Sequence, residues 1–220
     1  MRYSAALELQ RDVARRRISG EIPQDLLLLV EHPHVITLGR ASKQAHLVVS
    51  PEVLASRGIE WFETERGGDV TYHGPGQLVG YPIVDLKRHK QDLHWYLRRV
   101  EESLIVALRE WGLDGTRNAG FTGVWVGGRK IASIGVHARD WVTWHGFALN
   151  VCTDLTYFDL MVPCGIADVV MTSVSAETGR ANFSVQSAGG PVAAAFGSTF
   201  SLEVRAAPPG VVAGVRGGLQ

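Results

Sequence analysis

The sequence predicts an α/β (α+β) fold in one domain, on three observations. The stretch Asp92 to Trp111 carries one apolar stripe at helical spacing: Leu93, Tyr96, Leu97, Val100, Leu104, Ala107, Leu108 and Trp111. From Phe121 onward the apolar pattern changes to a period of two, the mark of β-strands. Before both, Leu26 to Val30 is a continuous apolar run too short for a helix, and Leu78, Val79, Tyr81, Ile83 and Val84 suggest another strand. A length of 220 residues suits one large α/β domain.

Each element follows from its residues. Tyr3 to Arg17 reads as an amphipathic helix with Ala6, Leu9 and Val13 on one face, ended by Gly20 and Pro23. Leu26 to Val30 reads as a buried strand, and Val35 to Leu38 as a second, after the turn Glu31-His32-Pro33-His34. Glu52 to Ser56 reads as a short helix stopped by Gly58, and Ile59 to Thr64 as a strand. Arg66 to Gly76 reads as a glycine-rich loop, and Gln77 to Leu86 as a strand. Asp92 is the expected N-cap of the main helix and Gly112 its terminator. Val124 to Val126, Gly127-Gly128 and Arg129 to Val136 read as a hairpin, followed by a strand from Trp141 to Val151. On the hairpin's second strand, strict alternation puts Lys130, Ala132, Ile134 and Val136 on one face. Arg129, Ile131, Ser133 and Gly135 take the other. Ser173 to Glu177 and Pro191 to Val204 read as helices. The expected domain is 1–205, with 206–220 a loosely held tail rich in Ala, Gly, Pro and Val.

Composition excludes several classes. The chain is 45% hydrophobic and 20% charged, so it can bury a full core without staples. Lys+Arg and Asp+Glu are both 22, which argues against a general nucleic-acid binder. Two cysteines, Cys152 and Cys164, make neither a structural zinc site nor a disulfide framework. The N-terminus lacks the pattern of a signal peptide, and Leu26 to Val30 cannot span a bilayer. The expected setting is a reducing cytoplasm without membrane attachment.

Candidate chemistry centres on Pro163-Cys164-Gly165-Ile166. Free cysteine is most often a small buried hydrophobe, and Cys152, beside a strand, fits that description. Proline before and glycine after place Cys164 on a bend instead. A thiol of ordinary pKa, about 8.5, needs a nearby cation to act as a nucleophile at neutral pH. Lys130, in the middle of a strand, is either that cation or an edge lysine facing water. Arg66-Gly67-Gly68-Asp69-Val70-Thr71-Tyr72-His73-Gly74-Pro75-Gly76-Gln77 is a shaped loop, either a ligand cradle or a structural turn, and is no Walker motif. His73, His137 and His145 are each candidate partners of the thiol. Trp61, Trp95, Trp125, Trp141 and Trp144 suit core or interface.

Taken together, these stretches resemble the octanoyltransferase family of lipoate biosynthesis, also called lipoyl(octanoyl) transferase or lipoate–protein ligase B. The resemblance rests on Glu31-His32-Pro33 through Leu38-Gly39-Arg40, on the Arg66 to Leu78 block, and on Gly123 to Val126 with Lys130 to Val136. It continues through His145-Gly146-Phe147-Ala148-Leu149-Asn150-Val151 and Pro163 to Ile166. The chain departs from it at Cys152, in Ala167 to Met171 and beyond Glu177. The resemblance implies a mixed β-sheet with flanking helices, of the biotin/lipoate–protein ligase type. It implies transfer of octanoyl from octanoyl-acyl carrier protein to a lysine of lipoyl domains, those of 2-oxoacid dehydrogenase E2 subunits and glycine cleavage H protein. It also implies a monomer needing no metal, ATP or other cofactor. By position, Cys164 is the implied acyl-accepting nucleophile and Lys130 the residue that lowers its pKa. The implied substrate-binding residues are Arg66, Gly67, Gly68, Asp69, Val70, Thr71, Tyr72 and His73, then Ser133, Ile134 and Gly135, then Gly146, Phe147 and Ala148.

The expected route is exchange of one thioester for another at Cys164, then attack by the acceptor amine with Lys130 or His73 taking its proton. Backbone N–H groups at Gly165 or in the Arg66 to His73 loop are the expected oxyanion donors. Gly67, Gly68, Ala132, Gly135, Gly146 and Ala148 are expected to leave room for the acyl chain. The competing readings are an ATP-dependent lipoate or octanoate ligase of the same fold, a Cys-His thioester hydrolase and a non-catalytic carrier-binding module.

Overall fold

The computed structural model describes residues 1–42, 46–161, 169–207 and 210–211. The N-terminal helix α1 (Tyr3–Ile18) buries Tyr3, Ala6, Leu7, Leu9, Gln10, Val13 and Ala14 on one face. Arginines at 15, 16 and 17 sit in its last turn, where the helix dipole favours positive charge. Strands β1 (Leu26–Val30) and β2 (Val35–Leu38) follow, then the short helix α2 (Pro51–Ser56), then β3 (Glu60–Glu63), β4 (Val70–His73) and β5 (Gln77–Ile83). Helix α3 (Leu93–Arg109) is capped by Asp92, whose carboxylate accepts from Trp95 N at 3.0 Å. The chain then makes β6 (Gly123–Val126), β7 (Arg129–Arg139), β8 (Val142–Asn150), α4 (Val174–Thr178) and α5 (Val185–Phe200).

The strands form two sheets. The larger is antiparallel in the order β1-β5-β8-β7-β6. The smaller, β3-β2-β4, mixes a parallel pair, β2 with β3, and an antiparallel pair, β2 with β4. Helices α3 and α5 cover one face of the large sheet through Val100, Leu104, Leu108, Val192 and Phe196, packed on Val124, Ile131, Ala132, Phe147 and Leu149. Helix α1 covers the opposite face near Val79, Tyr81 and Ala148. The α/β expectation holds, with helices flanking sheets.

Three expectations change. The run Val70 to His73, read as loop, is strand β4, because Thr71 and Tyr72 find partners on β2. Helix α5 begins six residues earlier than Pro191. Ser184 and Ser187 form a reciprocal capping box, and Pro191 sits inside the helix. The third concerns β7. Val124 pairs with Ala132, and the next residue, Trp125, pairs with Lys130. One step on β6 therefore spans two on β7, and Ile131 is the extra residue of a β-bulge. Cross-strand partners share a face. Lys130 thus joins Trp125 and, beyond the bulge, Ser133 and Gly135. Ala132 faces the α3–α5 core instead. Strict alternation had put Lys130 with Ala132, Ile134 and Val136; the bulge reverses that.

Candidate active site

A cavity of about 480 Å³ opens between the glycine-rich segment, β7, β8 and the start of α3. Thirteen of the fourteen expected substrate-binding residues line it: Arg66 to Thr71, His73, Ser133 to Gly135, and Gly146 to Ala148. Tyr72 does not. It lies on the other side of β4, fully buried among Ile36, Leu54 and Phe158, with its hydroxyl 2.7 Å from His34 Nδ1.

Lys130 lines the same cavity and is 1% exposed. The edge-lysine reading therefore fails. Its Nζ lies 5.2 Å from the Trp125 ring centroid. Gly123 makes room for its stem: a Cβ there would come within 2.9 Å of Lys130 Cε and 2.7 Å of Ala132 O. The Lys130 backbone is pinned as well. Its N–H donates to Val170 O at 2.8 Å, and its carbonyl accepts from Thr172 N at 2.9 Å. Pro163, Cys164, Gly165 and Ile166 lie outside the described residues. Cys152, the other cysteine, sits exposed after β8, and burial of part of its thiol raises its pKa.

The glycine-rich segment is held by a buried arginine. Arg66 donates from Nη2 to Thr37 O at 2.7 Å and Thr37 Oγ1 at 2.9 Å, and from Nη1 to Gly67 O at 3.1 Å. Gly67 N reaches across to Val136 O at 2.8 Å, so the segment clasps the edge of β7. Gly135 serves that clasp: a Cβ there would meet Gly67 O at 2.6 Å. A Cβ on Gly146 would meet Gly80 O at 2.2 Å. These two glycines admit neighbouring backbone, and Ala132 faces the core. None of the three supplies the space expected of it.

The histidines at and behind the cavity wall are uncharged. His73 donates from Nδ1 to Gln77 Oε1 at 2.8 Å, since Gln77 Nε2 is committed to Tyr72 O and Asn150 Oδ1. Burial, reinforced by His32 and Arg66, drives the His73 pKa down to about 3. His32, 2.7 Å from the Tyr81 hydroxyl, falls to about 4, mainly through burial. Tyr3 stacks on His73 at 6.1 Å and is pushed up to about 12, again by burial first. His145 is buried too, and its pKa is lowered for the same reason. His137 is not a lining residue; its Nδ1 sits 3.1 Å from Glu65 O.

Sequence reasoning missed Tyr3, Tyr81, Leu93, Leu97 and Phe121, which also line the cavity. Tyr81 was reachable, since it alternates with Val79 on β5. Leu93 and Leu97 belong to the α3 stripe and read as core. Nothing local marks Tyr3 or Phe121.

Comparison with known proteins agrees with this geometry. The family model for the lipoyl protein ligase A/B catalytic domain matches residues 2–197. The octanoyltransferase of Gloeobacter violaceus is 49% identical over 201 residues, covering 91% of this chain and 87% of that one. That of Rubrobacter xylanophilus is 54% identical over 180 residues, covering 81% and 80%. Among solved structures, the bi-partite lipoate protein ligase of Thermoplasma acidophilum superposes with a TM-score of 0.69 at 18% identity, covering 89% of this chain and 80% of that one. A lipoate-protein ligase A bound with ATP gives 0.67 at 18%, covering 89% and 82%. The shared architecture, the matched catalytic domain and the level of identity together make this chain a member of the octanoyltransferase family, within the lipoyl protein ligase A/B catalytic domain.

Proposed function

We propose that the protein transfers an octanoyl group from octanoyl-acyl carrier protein to the acceptor lysine of lipoyl domains, through a thioester on Cys164. The catalytic unit is residues 1–205, and the setting is the cytoplasm. The Cys164 thiolate attacks the donor carbonyl. A carbon–sulfur bond forms, the donor's carbon–sulfur bond breaks, and the donor thiolate leaves with the proton given up by the Lys130 ammonium. Because one thioester replaces another, no ATP is consumed. The acceptor amine then attacks the acyl-enzyme, loses a proton and expels the Cys164 sulfur.

The observation that carries this reading is the placement of Lys130. A fully buried lysine lines the cavity, and its backbone is bonded to Val170 and Thr172, six and eight residues after Cys164. An ammonium held near a thiol favours the thiolate. His73, neutral with Nδ1 as the donor, has its pKa driven down to about 3 by burial and is a poor base. Lys130, neutral once its ammonium has given its proton to the departing donor thiolate, is the better candidate to take the acceptor's proton. Burying an octanoyl chain contributes about 0.8 kcal/mol per CH₂. The neutral His73 adds no desolvated charge of its own to the cavity wall.

Incubation with octanoyl-acyl carrier protein followed by intact-mass measurement tests the reading. The wild type should gain one octanoyl group and Cys164→Ser none. Adduct on the serine variant would reject Cys164 as nucleophile. Turnover that requires free octanoate and ATP would instead favour the ligase reading.

A further inference from the structure

The β6 ladder on β7 ends at Gly123 opposite Ser133. The next bond to that edge is Gly67 N to Val136 O. Ile134 and Gly135, between them, have no strand on the side away from β8 among the described residues, and both line the cavity. A strand residue points its own N–H and C=O to the same side, and successive residues alternate. Val136 O faces outward to Gly67, so the Ile134 N–H and C=O face outward too, while Gly135 turns toward β8. The cavity thus contains a short open sheet edge, from Ser133 to Val136 and about 10 Å long at ~3.3 Å per residue.

We infer that this open edge is the subsite for an amide of the donor's thiol arm, whose carbonyl accepts from the Ile134 N–H. This deepens the proposed transfer and rests on it. An unpaired edge is a template for extended amide chains. The open stretch, Ile134 and Gly135 between Ser133 and Val136, is too short for a ladder with a peptide strand and suits a single amide. Of the two substrates, only the donor brings an amide there. A pantetheine-type arm carries its first amide one ethylene unit from the sulfur that leaves. The acceptor's nearest amide lies beyond its whole lysine side chain. Lys130 is four residues away on the same strand and faces the same cavity, so an arm paired at Ile134 delivers its thioester alongside the ammonium.

The test measures S-octanoyl adduct formation with two small donors: S-octanoyl-N-acetylcysteamine, which has one amide, and S-octanoyl-propanethiol, which has none. The wild type should favour the amide donor about tenfold in kcat/KM, the worth of roughly one hydrogen bond. In Ile134→Pro that ratio should collapse toward one. Proline removes an N–H that faces away from the β8 ladder, a backbone change the strand should tolerate, and the side-chain contacts it also removes weigh on both donors alike. A second measurement uses the wild type alone: N-acetylcysteamine should shift the Ile134 backbone amide resonance. Equal wild-type rates with both donors overturn the inference. So does an equal loss with both in Ile134→Pro, which would make the N–H an oxyanion donor, and so does a silent Ile134 resonance. If the wild type forms no adduct with either donor or with octanoyl-acyl carrier protein, the transfer itself fails, a distinguishable result.

Discussion

Lys130 and Trp125 are cross-strand partners at a bulge, and the ammonium lies 5.2 Å from the indole centroid. An aromatic face attracts a cation and holds it in place, worth about 0.5–2 kcal/mol. The bulge supplies the direction and the indole the position. Lys130→Ala should slow S-octanoyl formation about 10²–10⁴-fold, the range for losing a positioned acid–base group. It should also raise the thiol's apparent pKa in an alkylation-rate titration. Trp125→Leu should give a milder defect, up to about tenfold, with the same sign. An unchanged alkylation profile in both variants counts against the charge role.

Gly123 is fixed between two neighbours. A Cβ would strike Ala132 O and Lys130 Cε, and its φ of 148° lies outside the range favoured by side chains. Its N–H also donates at 3.2 Å to Glu101, a fully buried carboxylate that holds Arg98 and Arg117. Gly123→Ala should cost about 1–3 kcal/mol of stability from backbone strain. It should also lower adduct formation further than thermal melting alone explains, because it displaces the lysine. A variant that melts normally and acylates normally would show that the space is not used.

How much of this was legible depends on the range of the signal. Helix α3 and its Asp92 cap, and strands β1, β2 and β5, follow from local pattern, and the structure keeps them. Lys130 was conspicuous because a mid-strand lysine breaks the pattern. Its true face was hidden, since a bulge depends on the register with β6 and leaves no trace at Ile131 itself. Strand β4 was hidden by flanking glycines, because its partner β2 is some thirty residues away in sequence. The cavity wall from Tyr3 and Phe121 was hidden for the same reason. The start of α5 lay behind Gly189, Gly190 and Pro191, which read as breakers until the Ser184 cap is seen.

His32 and His73 are buried and neutral, near Tyr3, Tyr81, Arg66 and His145. Their folded pKa values, about 4 and about 3, lie below the unfolded value of about 6.5. Between those limits the unfolded chain binds more protons, so stability falls as pH drops. Each histidine contributes up to about 1.4 kcal/mol per pH unit in that window. Urea unfolding at pH 7.5, 6 and 5 should show the decline, and His32→Gln should flatten it. Parallel curves for the two proteins would contradict the burial argument.

Glu65 joins α1 to β8. It accepts from Arg11 at 2.7 and 3.0 Å and from Trp144 Nε1 at 2.9 Å, and His145 Nε2 faces it at 3.7 Å. These groups, His145 first, hold its carboxyl well below the usual range. Its stabilising effect is therefore complete above about pH 4.3, the unfolded value, and fades as pH falls below that. Glu65→Gln should destabilise by about 1–3 kcal/mol at pH 7. The gap to wild type should narrow below pH 4 in denaturant titrations. A gap independent of pH would mean the charge is not what matters.

Asn150 ties the cavity histidine to the segment beside Lys130. Its Oδ1 accepts from Gln77 Nε2 at 2.9 Å, and its Nδ2 donates to Thr172 O at 3.0 Å. Thr172 N in turn donates to the Lys130 carbonyl. All these side chains are buried, so none can turn to water for a substitute. Asn150→Asp keeps the shape but, when ionised, sets a carboxylate against the Thr172 carbonyl. Burial and that repulsion raise the new carboxyl's folded pKa above the unfolded value of about 3.9. The penalty is complete above the raised pKa, shrinks as pH falls between it and the unfolded value, and is gone below about 3.9, where a protonated carboxyl can donate to Thr172 O as the amide did. Measured against wild type, Asn150→Asp should be destabilised by about 1–3 kcal/mol at pH 8 and less at pH 5. The same deficit at both values would break the link between Asn150 and Thr172. A deficit that relaxes at pH 5 would show that the amide acts through its donor, and through it on the register of Thr172 against Lys130.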